Sequence, residues 1–254
     1  MRRTTVYVVG YPKSGSTWLS RLLGDALDSP VGAVFPPSSG KAIATEGQKR
    51  QGAYYIRQGH PTLVKGKFDG RVVPGIHKFA YENLSGEPII LITRDPRDII
   101  VSGAFHWGRD KVMAEYLLCV ANGKWPMTHG GGLVPFVTSW LASGLVKAWT
   151  SYEKLRSDTL SELDRIMKQI GICPVKPLTK VVNRQSFEVR KAWTRSYGER
   201  LNYGRDFQLR FLRKGIVGDW HNHFDHQKRV MAEEHFGALM RRLGYTDGPE
   251  WVNF

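Results

Sequence analysis

The chain has 254 residues, 41% of them apolar, enough to bury a sizeable core in one large domain spanning 1–254. No run of about 18 apolar residues is present, which excludes a membrane-spanning helix, and two cysteines, Cys119 and Cys173, are too few and too far apart for a disulfide framework or a metal knuckle. Thirty-seven basic against 23 acidic residues leave a net charge of +14, so the protein meets anions, either nucleic acid or a nucleotide with several phosphates, and composition does not choose between them.

Along the chain, Thr4 to Val9 is apolar and β-branched and reads as a central strand rather than as part of a signal peptide, because it runs straight into a glycine loop. After Gly10 to Ser16, the residues Trp18, Leu19, Leu22, Leu23, Ala26 and Leu27 recur at helical spacing. Asp28 to Gly40 reads as a loop and Arg71 to Ile76 as a short strand. Pro88 to Thr93 is a continuous apolar run, as in a strand covered on both faces. Pro96 suits a first helical turn, with helix from Asp98 onward.

Asn122 to Pro135, with three consecutive glycines, reads as a further loop, and Leu145 to Thr150 as a strand. Thr159 and Glu162 form a capping-box pattern before Leu163, Ile166, Met167 and Ile170, and a last helix is expected over His226 to Leu243. Strands alternating with helices predict an α/β fold, a central parallel sheet flanked by helices. Ligands then bind beyond the carboxyl ends of the strands, which draws attention to the loops after Val9, Ile76, Thr93 and Thr150. Both cysteines read as inert buried thiols.

The first of these loops reads Gly10-Tyr-Pro-Lys13-Ser14-Gly15-Ser16-Thr17, with Trp18 on the helix behind it. Two glycines with four residues between them, followed by hydroxyls at a helix start, make a phosphate cradle of main-chain N–H groups. A kinase or ATPase loop places its lysine directly after the second glycine. Here Ser16 stands there and the lysine lies inside the turn, nearer the 5′ group of a shorter nucleotide. Arg94-Asp-Pro-Arg-Asp98 follows the apolar strand, with Ser102 eight residues after Arg94, and an arginine there can reach the same anion from the side. Arg213-Lys214-Gly215 places two cations before a glycine, as suits a loop folding over a phosphate.

These segments together resemble the cytosolic-type sulfotransferases that use 3′-phosphoadenosine 5′-phosphosulfate (PAPS). The first loop is similar to that family's Y-P-K-S-G-T-T-W and differs only at Ser16. Arg94, Pro96, Asp98 and Ser102 match its R-x-P-x-D segment and following serine, and Arg213 to Phe224 resembles R-K-G-x-x-G-D-W-x-N-x-F. Tyr152-Glu-Lys-Leu155 is similar to Y-E-D-L, and Ser186-Phe187 to an S-F pair. The resemblance implies a P-loop-like 5′-phosphosulfate loop at Lys13, Ser14, Gly15, Ser16, Thr17 and Trp18. It implies a 3′-phosphate site at Arg94, Ser102, Arg213, Lys214 and Gly215, and a base site at Tyr152, Ser186 and Phe187.

Sulfuryl transfer needs a base for the acceptor's proton and a cation at the departing oxygen. The family's K-T-H-L-P corresponds here to Gly75-Ile76-His77-Lys78-Phe79, which implies His77 as the general base, with His60, His106 and His129 in reserve. The family's lysine before that histidine is missing, leaving Lys13, unless Lys78 swings in, to stabilise the bridging oxygen. The expected reaction is in-line displacement at sulfur onto a hydroxyl, or an amine, of a small-molecule acceptor, with adenosine 3′,5′-bisphosphate (PAP) as product and no metal.

The expected setting is cytoplasmic, with no nucleic-acid or membrane partner. Two rival readings remain beside this one: a P-loop nucleotide kinase or NTPase, against which Ser16 argues, and a nucleic-acid-binding protein, which would show a basic stripe laced with aromatics. The loops Asp28–Gly40, Lys49–His60 and Asn122–Pro135 are expected to set the acceptor.

Overall fold

The computed structural model describes residues 4–33, 50–64, 78–80, 86–124, 131–197, 209 and 212–254. Its strands are β1 (Thr4–Gly10), β2 (Val31–Ala33), β3 (Tyr54–Gly59), β4 (Thr62–Val64), β5 (Lys78–Ala80), β6 (Ile89–Thr93) and β7 (Ala148–Ser151). Its helices are α1 (Ser16–Ala26), α2 (Pro96–His106), α3 (Met113–Ala121), α4 (Leu133–Ala142), α5 (Tyr152–Ser157), α6 (Thr159–Ile170), α7 (Leu178–Arg184), α8 (Phe187–Tyr197) and α9 (His226–Leu243). Short 3-10 turns cover Asp219–Asn222 and Glu250–Asn253.

Five strands form one parallel sheet in the order β2-β3-β1-β6-β7, and β4 pairs in parallel with β5. The expected α/β architecture is therefore present. Successive side chains of β6 enter opposite layers. Ile89 and Leu91 pack with Ile99, Ile100, Trp140 and Phe236 on one face, while Ile90 and Ile92 pack with Leu19, Leu22, Leu163 and Ile166 on the other. Burial on both faces accounts for the unbroken apolar run. Among the described residues no helix is long and apolar enough to cross a membrane.

Register aligns the strand ends. Val9 lies opposite Gly59, Gly10 opposite Ile92, and Thr93 opposite Ser151. Tyr11, His60, Arg94 and Tyr152 therefore leave the sheet along one carboxyl edge, the edge where open parallel sheets bind ligands.

Several expectations change. The strand expected at Leu145–Thr150 is Ala148–Ser151, and the loop from Asp28 carries β2. Pro135 falls in the first turn of α4, where its missing N–H has no helix partner to lose. The cap of α6 is Asp158, which accepts from Ser161 N at 3.0 Å, while the Thr159 hydroxyl donates to the Leu155 carbonyl at 2.8 Å. Cys119 is half-buried and Cys173 exposed, because Cys173 follows the left-handed Gly171 at which the chain leaves α6. The expected strand Arg71–Ile76 lies outside the described residues.

Candidate active site at the carboxyl edge of the sheet

The first loop turns between β1 and α1. Lys13 has φ +74° and Gly15 φ +94°, the left-handed conformation that a lysine adopts at a cost of about 1–3 kcal/mol and that concentrates at functional sites. Gly15 sits at the N-cap of α1, which has no side-chain cap, so the N–H groups of Ser16 and Thr17 lie outside the helix ladder at the end that meets the loop. A Cβ at Gly15 would stand 2.7 Å from the Tyr152 ring, so only glycine lets Tyr152 close over the turn. Ser14 is fully buried, and its Oγ has no hydrogen-bond partner among the described residues.

Arg94, just past β6, ties the loops together. Its guanidinium donates to the carbonyls of Lys13 and Ile216, both at 3.2 Å, lies 4.2 Å above the Tyr152 ring, and approaches the Asp98 carboxylate at 3.6 Å. Its Nε is buried without an acceptor among the described residues. Helical spacing from Asp98 places Ser102 on the face of α2 that turns toward the third loop.

The third loop carries Arg213, Lys214 and Gly215. Both cations pair with Asp219, Lys214 at 2.7 Å, and Arg213 also lies 4.4 Å over the Phe105 ring. Asp98 accepts from the N–H groups of Gly218 at 2.8 Å and Trp220 at 3.1 Å. Gly215 has φ +67°, and a Cβ there would stand 2.5 Å from the Phe187 ring. Trp220 in turn stacks with Arg97, whose guanidinium lies 4.1 Å from it and 4.5 Å from Trp251.

The half-buried Trp18 and Phe187 stand beside these loops. The Trp18 indole donates to the Gln185 carbonyl at 2.9 Å and meets the Tyr152 ring edge-on at 6.0 Å. Ser186 caps α8, accepting from Val189 N at 3.3 Å. Lys191 Nζ donates to the Arg213 carbonyl at 2.9 Å, joining α8 to the third loop.

Charge is unbalanced in the middle of this arrangement. Burial, then the Arg94 guanidinium, then that of Arg213, push the Lys13 ammonium down to about 7. Burial raises the Asp98 carboxyl despite Arg94 beside it. Asp219 behaves oppositely: burial raises it, yet hydrogen bonds from Lys214, Arg213 and Asn222 prevail and hold it well below the usual carboxylate range. A multiply charged anion fits this site, for it would relieve the repulsion at Lys13 and supply acceptors to Ser14 Oγ and Arg94 Nε.

The structure thus gathers Lys13, Ser14, Gly15, Arg94, Tyr152, Arg213, Lys214 and Gly215, with Trp18 and Phe187 alongside. His77 and His129 lie outside the described residues. His60, directly after β3, has Nδ1 2.5 Å from the Gly10 carbonyl oxygen, whereas His106 is buried on α2 against Trp107. Sequence reasoning missed the work of Asp98, Asp219 and Gln185. The first two sit inside matched motifs, four residues after Arg94 and directly after Gly218, and that position was the available signal. Among the described residues no cluster of three His, Cys, Asp or Glu side chains is arranged for a metal.

Comparison with known proteins agrees with this geometry. The family model described as the sulfotransferase domain matches residues 87–244, more than half of the chain. Sulfotransferase 1E1 of Rattus norvegicus is 25% identical over 257 residues, covering 94% of this chain and 84% of that protein. The 3-alpha-hydroxysteroid sulfotransferase of Cavia porcellus is 28% identical over 228 residues, covering 85% and 76%. Among solved structures, mouse sulfotransferase SULT7A1 complexed with PAP superposes with a TM-score of 0.67 at 24% identity, covering all of this chain and 88% of that one. The fold is therefore shared with that structure.

Proposed function

Because the chain belongs to the sulfotransferase domain family, we propose that residues 1–254 act as one domain that moves a sulfuryl group from PAPS to a hydroxyl, or an amine, of a small-molecule acceptor and releases PAP. The observation that carries this reading is the convergence of Lys13, Arg94 and Arg213, with the Arg94 guanidinium bonded both to the Lys13 carbonyl and to the Ile216 carbonyl of the third loop. Three cations on one sheet edge match a nucleotide charged at both its 5′ and 3′ positions. They also give the +14 charge a use without nucleic acid or a membrane.

Bound PAPS supplies a sulfuryl group already activated by its phosphate leaving group. Lys13, Ser14, Gly15, Ser16 and Thr17 hold the 5′ end. Arg94, Ser102, Arg213, Lys214 and Gly215 hold the 3′-phosphate, and Trp18, Tyr152, Ser186 and Phe187 enclose the base. His77 takes the acceptor's proton as the acceptor oxygen bonds to sulfur. Lys13 neutralises the charge left on the 5′-phosphate oxygen when the sulfur–oxygen bond breaks. None of these roles calls on a metal, and the enzyme works in the cytoplasm.

A second assignment of the base has an observation in its favour, since His60 directly follows β3 and lies against the Gly10 carbonyl at the start of the phosphate loop. An acceptor screen with labelled PAPS, read by mass spectrometry, tests the reaction itself. Repeated on His77→Ala and His60→Ala, it separates the two histidines: the base is the one whose loss lowers turnover by about 10²- to 10⁴-fold with PAP affinity retained. Transfer to no acceptor class would overturn the proposal.

A further inference from the structure

Asp25 lies near the far end of α1 from the phosphate loop, with a side chain only 4% exposed. Its carboxylate gathers donors from both ends of α7. Lys176, which precedes the helix, approaches at 3.5 Å. Arg184, its last residue, donates at 3.0 Å, and the Gln185 amide, just beyond, at 3.3 Å. Arg50 stands at 3.9 Å on the other side. The main chain before α7 docks on α1 as well, since Val175 and Lys176 N–H groups both donate to the Ala26 carbonyl, which α1 leaves without a helix partner.

Gln185 passes this anchorage on. Its carbonyl accepts the Trp18 indole N–H, and two residues later Phe187 opens α8 against Gly215. The proposed base-enclosing residues Trp18 and Phe187 therefore keep their places through one peptide segment, and Asp25 fastens that segment to the helix carrying the phosphate loop. We infer that Asp25 is a positioning residue for recognition of the nucleotide base, acting through Arg184 and Gln185. The inference rests on the nucleotide reading above and adds to it how the base site is held.

In Asp25→Asn, amide hydrogens face a ring of donors, so the Gln185 segment loses its anchor while the phosphate loops stay intact. Calorimetry with two probes reads the consequence. PAP should bind about tenfold more weakly, the scale of one lost hydrogen bond, whereas ribose 3,5-bisphosphate, which lacks the base, should change by less than about twofold. In turnover, KM for PAPS should rise with kcat nearly unchanged.

Gln185→Met severs the side-chain link and leaves Asp25 paired with its three cations. It should reproduce the same selective loss, and it serves where Asp25→Asn does not fold. Equal losses for both probes, or unchanged affinities beside a lowered melting temperature, would overturn the inference and leave Asp25 a stabilising ion pair. A wild-type protein with no preference for PAP over the base-free bisphosphate would instead overturn the nucleotide reading itself.

Discussion

Asp98 accepts the main-chain N–H of Gly218 at 2.8 Å, fastening the third loop to the helix that follows Arg94. Its second oxygen takes the Trp220 N–H, so one buried carboxylate fixes the backbone on both sides of Asp219. Asp219 in turn orients Arg213 and Lys214. The two halves of the proposed 3′-phosphate site are thus held in register by a group that need not touch the ligand.

Asp98→Ala should release that loop. Two hydrogen bonds to a charged group are lost, each worth about 1.5–3 kcal/mol at most sites. Urea unfolding should show a loss on that scale, and PAP affinity should fall while binding of inorganic pyrophosphate falls less. Unchanged PAP affinity would mean that the third loop holds its shape without Asp98.

Lys13 predicts a proton linkage. With its ammonium near 7 instead of the ordinary 10.5, the unfolded chain carries the proton between those values and the folded chain does not. Its contribution to stability therefore rises with pH across that window. The difference in stability between Lys13→Met and wild type should shift steadily in favour of wild type from pH 7 to 10. An anion beside Lys13 restores its charge, so PAP binding at pH 8 should take up nearly one proton, measured by calorimetry in buffers of different ionisation enthalpy. Lys13→Met should abolish that uptake.

Gly215→Ala joins two penalties. Left-handed backbone costs an alanine roughly 1–2 kcal/mol, and the new methyl would stand 2.5 Å from the Phe187 ring. The ring must shift, so PAP affinity should drop further than affinity for ribose 3,5-bisphosphate, as calorimetry on both ligands would read. Equal effects would place the strain in the loop alone.

The elements most legible in the sequence are those whose cause is local. The unbroken apolar run of Ile89–Thr93 reports burial on two faces. His226–Leu243 is bracketed by Asp225, which accepts from Lys228 N, and by left-handed Gly244. The strand Tyr54–Gly59 left no such mark because only Ile56 is buried in it, so it shows no two-residue period. Helices α7 and α8 were missed for a similar reason: Val181 is the one buried residue of α7, and α8 is mostly polar.

The cationic loops were readable from Lys13, Arg94, Arg213 and Lys214 themselves. What the supporting carboxylates hold was not, since Asp98 reaches Gly218 across 120 residues and Asp25 reaches Gln185 across 160. Hydrogen bonds over such separations follow from the packing of the sheet edge and leave no periodic trace.

The central claim is that Lys13, Arg94, Arg213 and Lys214 together bind a nucleotide with phosphates at both 5′ and 3′ positions. Titration calorimetry of PAP against 5′-AMP on the wild-type protein tests it most directly. The 3′-phosphate meets charge-assisted donors each worth about 1.5–3 kcal/mol, so PAP should bind at least tenfold more tightly, and Arg213→Ala should erase most of that advantage. Equal affinities for the two nucleotides in the wild-type protein would contradict the account.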